Sequence, residues 1–185
     1  MSTENDLTKT YSGIFGNQVV LKNRRGKSVM TIPPVKPVKE PSEKQKAARR
    51  RLSMAAKYAN DALLDPALRE MYAAKSHKGL PLFRVAVNDF LRRPYVHLID
   101  ASGYHGNPGE PISVTAGDDF KLTAVAVKIT GSDGVVIESG PCVLVMPTGN
   151  YDYVATTAVS NPAGVTITAS VRDIPGNLTE RSITL

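Results

Sequence analysis

The spacing of apolar residues changes near residue 95, and this change sets the fold class. Between residues 42 and 95, apolar side chains recur at three- and four-residue intervals, as on one face of a helix. After residue 95, they alternate with polar residues over short runs, which turns rich in Gly, Pro and Asn separate. The 185-residue chain is therefore predicted to be a multi-domain α+β protein with an all-β C-terminal part.

Net charge changes sign at the same place. Residues 1–95 hold 19 Lys and Arg against 8 Asp and Glu, a net charge of +11. Residues 96–185 hold 4 against 9, a net charge of −5. Such an asymmetry is typical of a chain whose cationic half meets an anionic or polar partner.

The first 41 residues are predicted to form an arm, a hairpin and a connector. Residues 1–10 are polar and are expected to be flexible. Within 11–41, two β-rich runs flank a basic, Gly-containing turn, a pattern that predicts a β-hairpin, and four prolines then predict an extended connector. An isolated hairpin is marginally stable in water, so we expect this one to pack on another element or subunit.

Residues 42–95 are predicted to form a basic helical region. The first helix begins with the capping-box spacing of Ser42 and Gln45. Its apolar positions recur at helical intervals: Leu52, Ala55, Ala56, Ala59 and Leu63. Because most of these side chains are small, another element can approach this stripe closely.

Two further helices are predicted in this region. Asp65 and Pro66 have the types favoured at the cap and the first helical position, and the helix is expected to end near Lys75. The third helix is predicted from Pro81 to Arg92.

The remaining residues are predicted to be a linker at 96–107 and an antiparallel sandwich of six or seven short strands at 108–185. Segments 151–156 and 164–177 resemble the last hairpin of bacterial Ig-like or fibronectin-type-III-like modules. The shared features are the aromatic-x-aromatic strand at Tyr151 and Tyr153 and the D-x-x-G-N turn that ends at Asn177. The resemblance implies an Ig-like sandwich, a fold that carries many functions.

The N-terminal half resembles a group of small uncharacterised bacterial and phage-encoded proteins. The matching motifs are Gly13-Ile14-Phe15-Gly16, Arg25-Gly26 and Pro41-Ser42-Glu43-Lys44-Gln45-Lys46. The resemblance implies association with a phage or prophage.

Residue types used in catalysis and metal binding are present, but they lack the spacing that catalytic and metal sites require. The three histidines lie far apart, and no G-x-S-x-G motif occurs. Asp118, Asp119 and Asp133 are expected to be turn residues and negative edge charges. We therefore expect a protein that is not an enzyme, with no catalytic, cofactor-binding or metal site and no small-molecule substrate.

Cys142 is the only cysteine and is expected to be a buried structural thiol.

The sequence shows no Sec signal pattern and no apolar run of the roughly 20 residues that a membrane span requires. We expect cytoplasmic synthesis, followed by incorporation into a virion or extracellular assembly if the protein acts outside the cell.

Basic residues of the hairpin turn and the first helix are the candidates for contact with a partner. They are Arg24, Arg25, Lys27, Lys44, Lys46, Arg49, Arg50 and Arg51. The first hypothesis is a structural or assembly protein of a phage particle or similar bacterial structure, which forms homo-oligomers or larger assemblies. The alternatives are a nucleic-acid-binding protein that uses this basic half and a surface adhesion module.

Overall fold

The computed structural model describes residues 12–24, 27–35 and 39–185. The arm predicted at 1–10, part of the basic turn and part of the proline connector lie outside these ranges. The described chain holds three helices and three antiparallel sheets, with most strands in the C-terminal half. The predicted α+β class is confirmed.

A three-stranded sheet forms the N-terminal part of the described chain. Its strands are β1 (Gly13–Phe15), β2 (Val19–Arg24) and β3 (Lys27–Thr31), in the order β1-β2-β3. The predicted hairpin corresponds to β2 and β3, and the prediction lacked β1. The turn after β1 holds Gly16 and Asn17 at φ of 56° and 55°, a conformation that these two residue types tolerate best.

The three predicted helices are present as α1 (Glu43–Ala62), α2 (Pro66–Ala74) and α3 (Leu82–Leu91). The capping box of α1 is confirmed: Ser42 N donates to Gln45 Oε1 at 3.0 Å, and Gln45 N donates to Ser42 Oγ at 3.3 Å. The cap of α2 is also confirmed, because the Asp65 carboxylate accepts from Ala67 N at 2.8 Å.

Small side chains of α1 pack in a helical core. The buried residues of α1 are Ala55, Ala59 and Ala62, and the core is completed by Tyr72 of α2 and by residues of α3. Leu52 is 54% exposed, so its predicted place in the apolar stripe is wrong. The buried stripe begins one turn later, at Ala55.

Two four-stranded sheets follow. The first has the order β4-β5-β9-β8 and the second β11-β10-β6-β7. Their strands are β4 (Tyr95–Asp100), β5 (Pro111–Gly117), β6 (Leu122–Thr130), β7 (Val136–Pro141), β8 (Val143–Val145), β9 (Asn150–Val154), β10 (Thr166–Asp173) and β11 (Leu178–Thr184).

One hydrophobic core is shared by these two sheets. Alternate residues of β5, β6 and β10 point into it, among them Ile112, Val127 and Ile167, which are each at most 1% exposed. Tyr104 and Tyr153 are its buried aromatic residues. A core of mainly β-branched side chains fits a pleated surface and compensates for the low aromatic content.

Strand β4 lies where the sequence predicted the start of a linker. It pairs with β5, and its Val96 and Ile99 side chains are buried in the shared core. Its alternation is interrupted by a bulge between Val96 and Leu98, which conceals the strand from a pattern search.

The predicted pairing of segments 151–156 and 164–177 is wrong. Strand β9 pairs with β5 and β8, whereas β10 pairs with β6 and β11, so the two segments lie in different sheets. The connection between them contains Asn161 and Pro162 and is much longer than a hairpin turn, which allows the chain to cross from one sheet to the other.

The chain divides into two compact units. One contains the described residues up to Arg49 together with His77–Gly79, and the other contains Arg50–Ser76 and Leu80–Leu185. Most of the helical region thus belongs to the same unit as the two C-terminal sheets. The change in net charge near residue 95 falls inside this unit.

A glycine on β7 permits a close contact across the shared core. A Cβ atom on Gly140 would lie 2.9 Å from Cε2 of the buried Tyr153 ring. We predict that Gly140→Ala lowers the free energy of unfolding by about 1–3 kcal/mol, because the added methyl group forces the buried ring to shift within the packed core. Urea denaturation measures the change. Gly103→Ala is the matched control, since its Cβ would meet Pro111 Cγ at an ordinary 3.4 Å, and an equal loss in both variants would contradict the prediction.

Candidate functional site

The N-terminal sheet exposes most of its large apolar side chains. Ile14 is 61% exposed, Phe15 50% and Met30 65%. Among the described residues of its three strands, only Val20 is buried. Contiguous exposed apolar surface on a soluble chain usually marks a place where another molecule binds.

Exposed apolar residues lie on both faces of this sheet. Cross-strand pairing places Ile14 beside Val20 and Lys22 beside Val29, so one face carries Ile14 and Val29 with a lysine. The opposite face carries Phe15, Leu21 and Met30. A small sheet that buries only Val20 among its described residues, on the face of Ile14, has little to stabilise it within one chain.

The structure places the predicted basic contact residues on this sheet and on α1. Lys27 is exposed on β3, Arg24 ends β2, and Arg25 lies outside the described residues. The predicted contact residues on α1 are all exposed: Lys44, Lys46, Arg49, Arg50 and Arg51. The boundary between the two units falls between Arg49 and Arg50, so the predicted residues are divided between the two units.

Two of these cations have partners. Lys46 Nζ lies 2.9 Å from Glu43 Oε1, an exposed pair one turn apart on the helix. The Arg51 guanidinium donates to the carbonyl of Leu91 at 2.7 Å, at the end of α3 where the helix dipole favours a positive charge. Arg51 therefore fastens α1 to α3. No ion pair joins Lys44, Arg49 or Arg50 to any carboxylate that the structure describes.

A chain of buried hydroxyl and carboxyl groups lies between the helices. The hydroxyls of Tyr58 and Tyr72 are 2.7 Å apart, and Tyr72 donates to Asp89 Oδ2 at 2.5 Å. Tyr72 and Asp89 are at most 1% exposed, and Asp89 Oδ1 has no hydrogen-bond partner among the described residues. This geometry fixes α2 against α3.

The D-x-x-G-N turn connects this helical core to the sheets. Asn177 Nδ2 donates to the carbonyls of Phe90 at 3.1 Å and Arg92 at 3.2 Å, and to Asp173 Oδ2 at 2.7 Å. Its backbone N–H donates to Asp173 Oδ1 at 2.6 Å. Sequence analysis identified the turn but not this attachment of β10 and β11 to the end of α3.

The loop between β5 and β6 makes a second attachment. Lys75 Nζ donates to the carbonyl of Asp119 and lies 4.1 Å from the centre of the Phe120 ring, while Arg92 pairs with the Asp119 carboxylate. The open groove beside these contacts has a volume of about 450 Å³ and is also lined by Asn88. The Phe120 ring in turn packs edge-on against Tyr72.

Three aspartates were predicted to be turn residues. Asp118 Oδ2 accepts from Phe120 N at 3.0 Å, and Asp133 Oδ1 accepts from Val135 N at 3.0 Å, so these two predictions are confirmed. Asp119 instead binds Arg92 with its side chain.

Burial controls the charge of the carboxyl groups at this junction. Burial raises the pKa of Asp89 to about 6, the hydrogen bond from Tyr72 opposes this, and repulsion from Asp118, Asp173 and Asp119 adds to it. Burial also raises the pKa of Asp173, against the hydrogen bonds from Asn177. In the sequence, Asp89 lies at helical spacing among the apolar residues of the third predicted helix. A single carboxylate at such a position is the sequence signal that could have identified a buried polar group.

Cys142 is half-buried, and burial raises the pKa of its thiol to about 12. The thiolate needed for nucleophilic or metal chemistry is therefore strongly disfavoured at neutral pH, as expected for a structural thiol.

His77, His97 and His105 are exposed and lie on separate segments. Within the described ranges, no group of three His, Cys, Asp or Glu side chains is arranged to hold a metal ion. None of the helices described is both long enough and apolar enough to cross a membrane.

Comparison with protein-family models, with curated proteins and with solved structures finds no match to this chain.

The buried aspartate predicts how stability depends on pH. The folded protein holds the Asp89 proton more tightly than the unfolded chain, where the pKa is near its ordinary value of about 3.9. The Asp89 contribution to the free energy of unfolding is therefore complete below about pH 4 and is lost as the pH rises through about 6, by roughly 2–3 kcal/mol in total.

Urea denaturation between pH 4.5 and pH 7.5 measures this dependence. We expect Asp89→Asn to remove most of the slope, because the amide oxygen still accepts from Tyr72 and the side chain no longer titrates. Asp61→Asn, on the exposed surface of α1, is the control and should retain the slope. A slope that is unchanged in Asp89→Asn would contradict the assignment.

Proposed function

We propose that this protein is a non-enzymatic structural or assembly protein of a phage particle or a similar bacterial supramolecular structure. Its N-terminal sheet associates with neighbouring copies, and its C-terminal sheets form an Ig-like sandwich that is displayed or docked on a neighbour. The resemblance of the N-terminal motifs to phage-encoded proteins supports the setting.

The observation that carries the proposal is the exposure of apolar side chains on both faces of the N-terminal sheet. Its strands have only 3, 6 and 5 residues, and Phe15 and Met30 are at least half exposed. The apolar burial that stabilises so small a sheet is supplied by another chain.

Strand order supports the Ig-like sandwich. Constant-type Ig domains place strands A, B, E and D in one sheet and C, F and G in the other. In chain order, β4-β5-β9-β8 corresponds to A-B-E-D, and β11-β10-β6 corresponds to G-F-C, with β7 as an additional edge strand. The crossing between β9 and β10 corresponds to the passage from strand E to strand F.

We predict that the full-length protein self-associates and that the N-terminal sheet is required. Ile14→Thr/Val29→Thr removes two exposed apolar side chains from the face that also carries Lys22, while retaining residues that favour strands, so sedimentation velocity should show a marked shift toward monomer. Leu64→Thr is the control, because Leu64 is 83% exposed but lies between α1 and α2. A wild-type protein that stays monomeric across a wide concentration range would contradict the proposal.

A second candidate function, nucleic-acid binding, is favoured by the exposed cations of α1. Lys44, Arg49 and Arg50 are exposed and form no ion pair with a described carboxylate. Cations of this kind bind phosphates without reading sequence, and each contact makes the affinity more dependent on salt.

This candidate predicts that Lys44→Gln/Arg49→Gln/Arg50→Gln weakens duplex DNA binding and lowers the slope of log affinity against log salt by roughly 2–3. The matched control is Lys57→Gln/Arg69→Gln/Arg84→Gln, which removes the same charge from other exposed helical positions. Fluorescence anisotropy at two salt concentrations measures both. No binding by the wild type at low salt, or equal losses in both variants, would eliminate this function.

A further inference from the structure

The two C-terminal sheets have different outward faces. On the sheet containing β10 and β11, the outward positions of these two strands carry mainly hydroxyl groups: Thr166, Thr168, Ser170, Ser182 and Thr184. Thr168 Oγ1 and Ser182 Oγ are 2.9 Å apart across the strands. A polar outer face of this kind is ordinary for an antiparallel sheet.

The outward face of the β4-β5-β9-β8 sheet is far more apolar. The ring of Tyr95 lies over Gly117, and pairing places Leu98 beside Thr115 and Val143 beside Asp152. Four large side chains on this face are about half exposed or more: Tyr95 56%, Leu98 49%, Val143 70% and Val154 54%. The outward face of the sheet that contains β10 and β11 exposes fewer such residues, Val136 at 52% and Leu178 at 43%, among its hydroxyl groups.

Carboxylates accompany these apolar residues. Asp100 pairs with Ser113, which in turn pairs with Asp152, so both carboxylates occupy outward positions in one row across the sheet. None of the four strands contains Lys or Arg. At the β4 edge, Arg181 of β11 is held by the carbonyls of Val96 and His97. We call Tyr95, Leu98, Asp100, Val143, Asp152 and Val154 the acidic face.

We propose that the acidic face of one copy binds the N-terminal sheet of a second copy. This inference rests on the proposed function and names the surface through which self-association occurs. Each surface has apolar side chains to bury, and their charges are opposite: Lys22 and Lys27 share a face of the N-terminal sheet with Ile14 and Val29.

Charge decides between this arrangement and the pairing of two N-terminal sheets. Residues 12–49 hold nine Lys and Arg against two Asp and Glu, a net charge of +7. Two such segments face to face would repel one another, whereas the acidic face offers Asp100 and Asp152 to the lysines. Because the two surfaces differ, copies join head to tail, as a ring where the rotation closes and as a filament where it does not.

Reversal of charge on each surface tests the proposal in the full-length protein. Lys22→Glu/Lys27→Glu and Asp100→Lys/Asp152→Lys are each expected to raise the dissociation constant for self-association at least about tenfold, since each places like charges in contact. An equimolar mixture of the two variants is expected to regain the wild-type affinity, because every contact then joins opposite charges again. Sedimentation velocity measures all three samples.

The control is Asp133→Lys/Glu180→Lys, which reverses two exposed carboxylates away from the acidic face. The first caps a turn, as Asp100 does, and the second lies on a strand, as Asp152 does. The inference is overturned if both variants lose self-association and their mixture does not regain it. It is also overturned if either variant keeps the wild-type affinity, or if the control loses as much affinity as the two variants do. Monomeric wild-type protein would instead refute the proposed function itself.

Discussion

A shortage of buried apolar area in the N-terminal sheet is the constraint on which the functional account depends. The three strands satisfy one another's backbone hydrogen bonds, but Ile14, Phe15 and Met30 remain at least half exposed. Ordering these residues costs conformational entropy, and the small apolar area that the sheet buries offsets little of this cost. We propose that an intermolecular contact supplies the missing burial, with an acidic surface as the partner of a sheet surrounded by an excess of Lys and Arg.

The other unit buries its apolar side chains within the same chain. Its sheets share a mainly aliphatic core. Two contacts attach the helices to the sheets: the Asn177 side chain donates to the carbonyl of Phe90 in α3, and the Phe120 ring packs against Tyr72. No cation that the structure describes forms an ion pair with Asp89. Its burial is therefore costly above its pKa, and the hydrogen bond from Tyr72 offsets only part of that cost. This unit therefore buries two hydrophobic cores of its own, and its acidic face is the surface that we propose for a neighbouring copy.

Local sequence signals predicted local structure well. The Ser42–Gln45 capping box, the Asp65–Pro66 helix start and the Asp118 and Asp133 turns each depend on residues within four positions, and all are present. Prediction failed where the outcome depends on distant partners. Strand β1 is too short to show a period, the bulge in β4 disrupts its alternation, and only the fold determines that β9 and β10 enter different sheets. The contact of Arg51 with Leu91, 40 residues away, likewise could not be read from a run of three arginines.

Hydrogen exchange measured at two protein concentrations tests the central claim most directly. If other copies stabilise the N-terminal sheet, the amides of β2 and β3 gain protection as the concentration rises, while those of β6 and β10 in the shared core keep the same protection throughout. Strong protection of β2 and β3 that does not change at concentrations where the protein is monomeric would contradict the account, because the sheet would then be stable within a single chain.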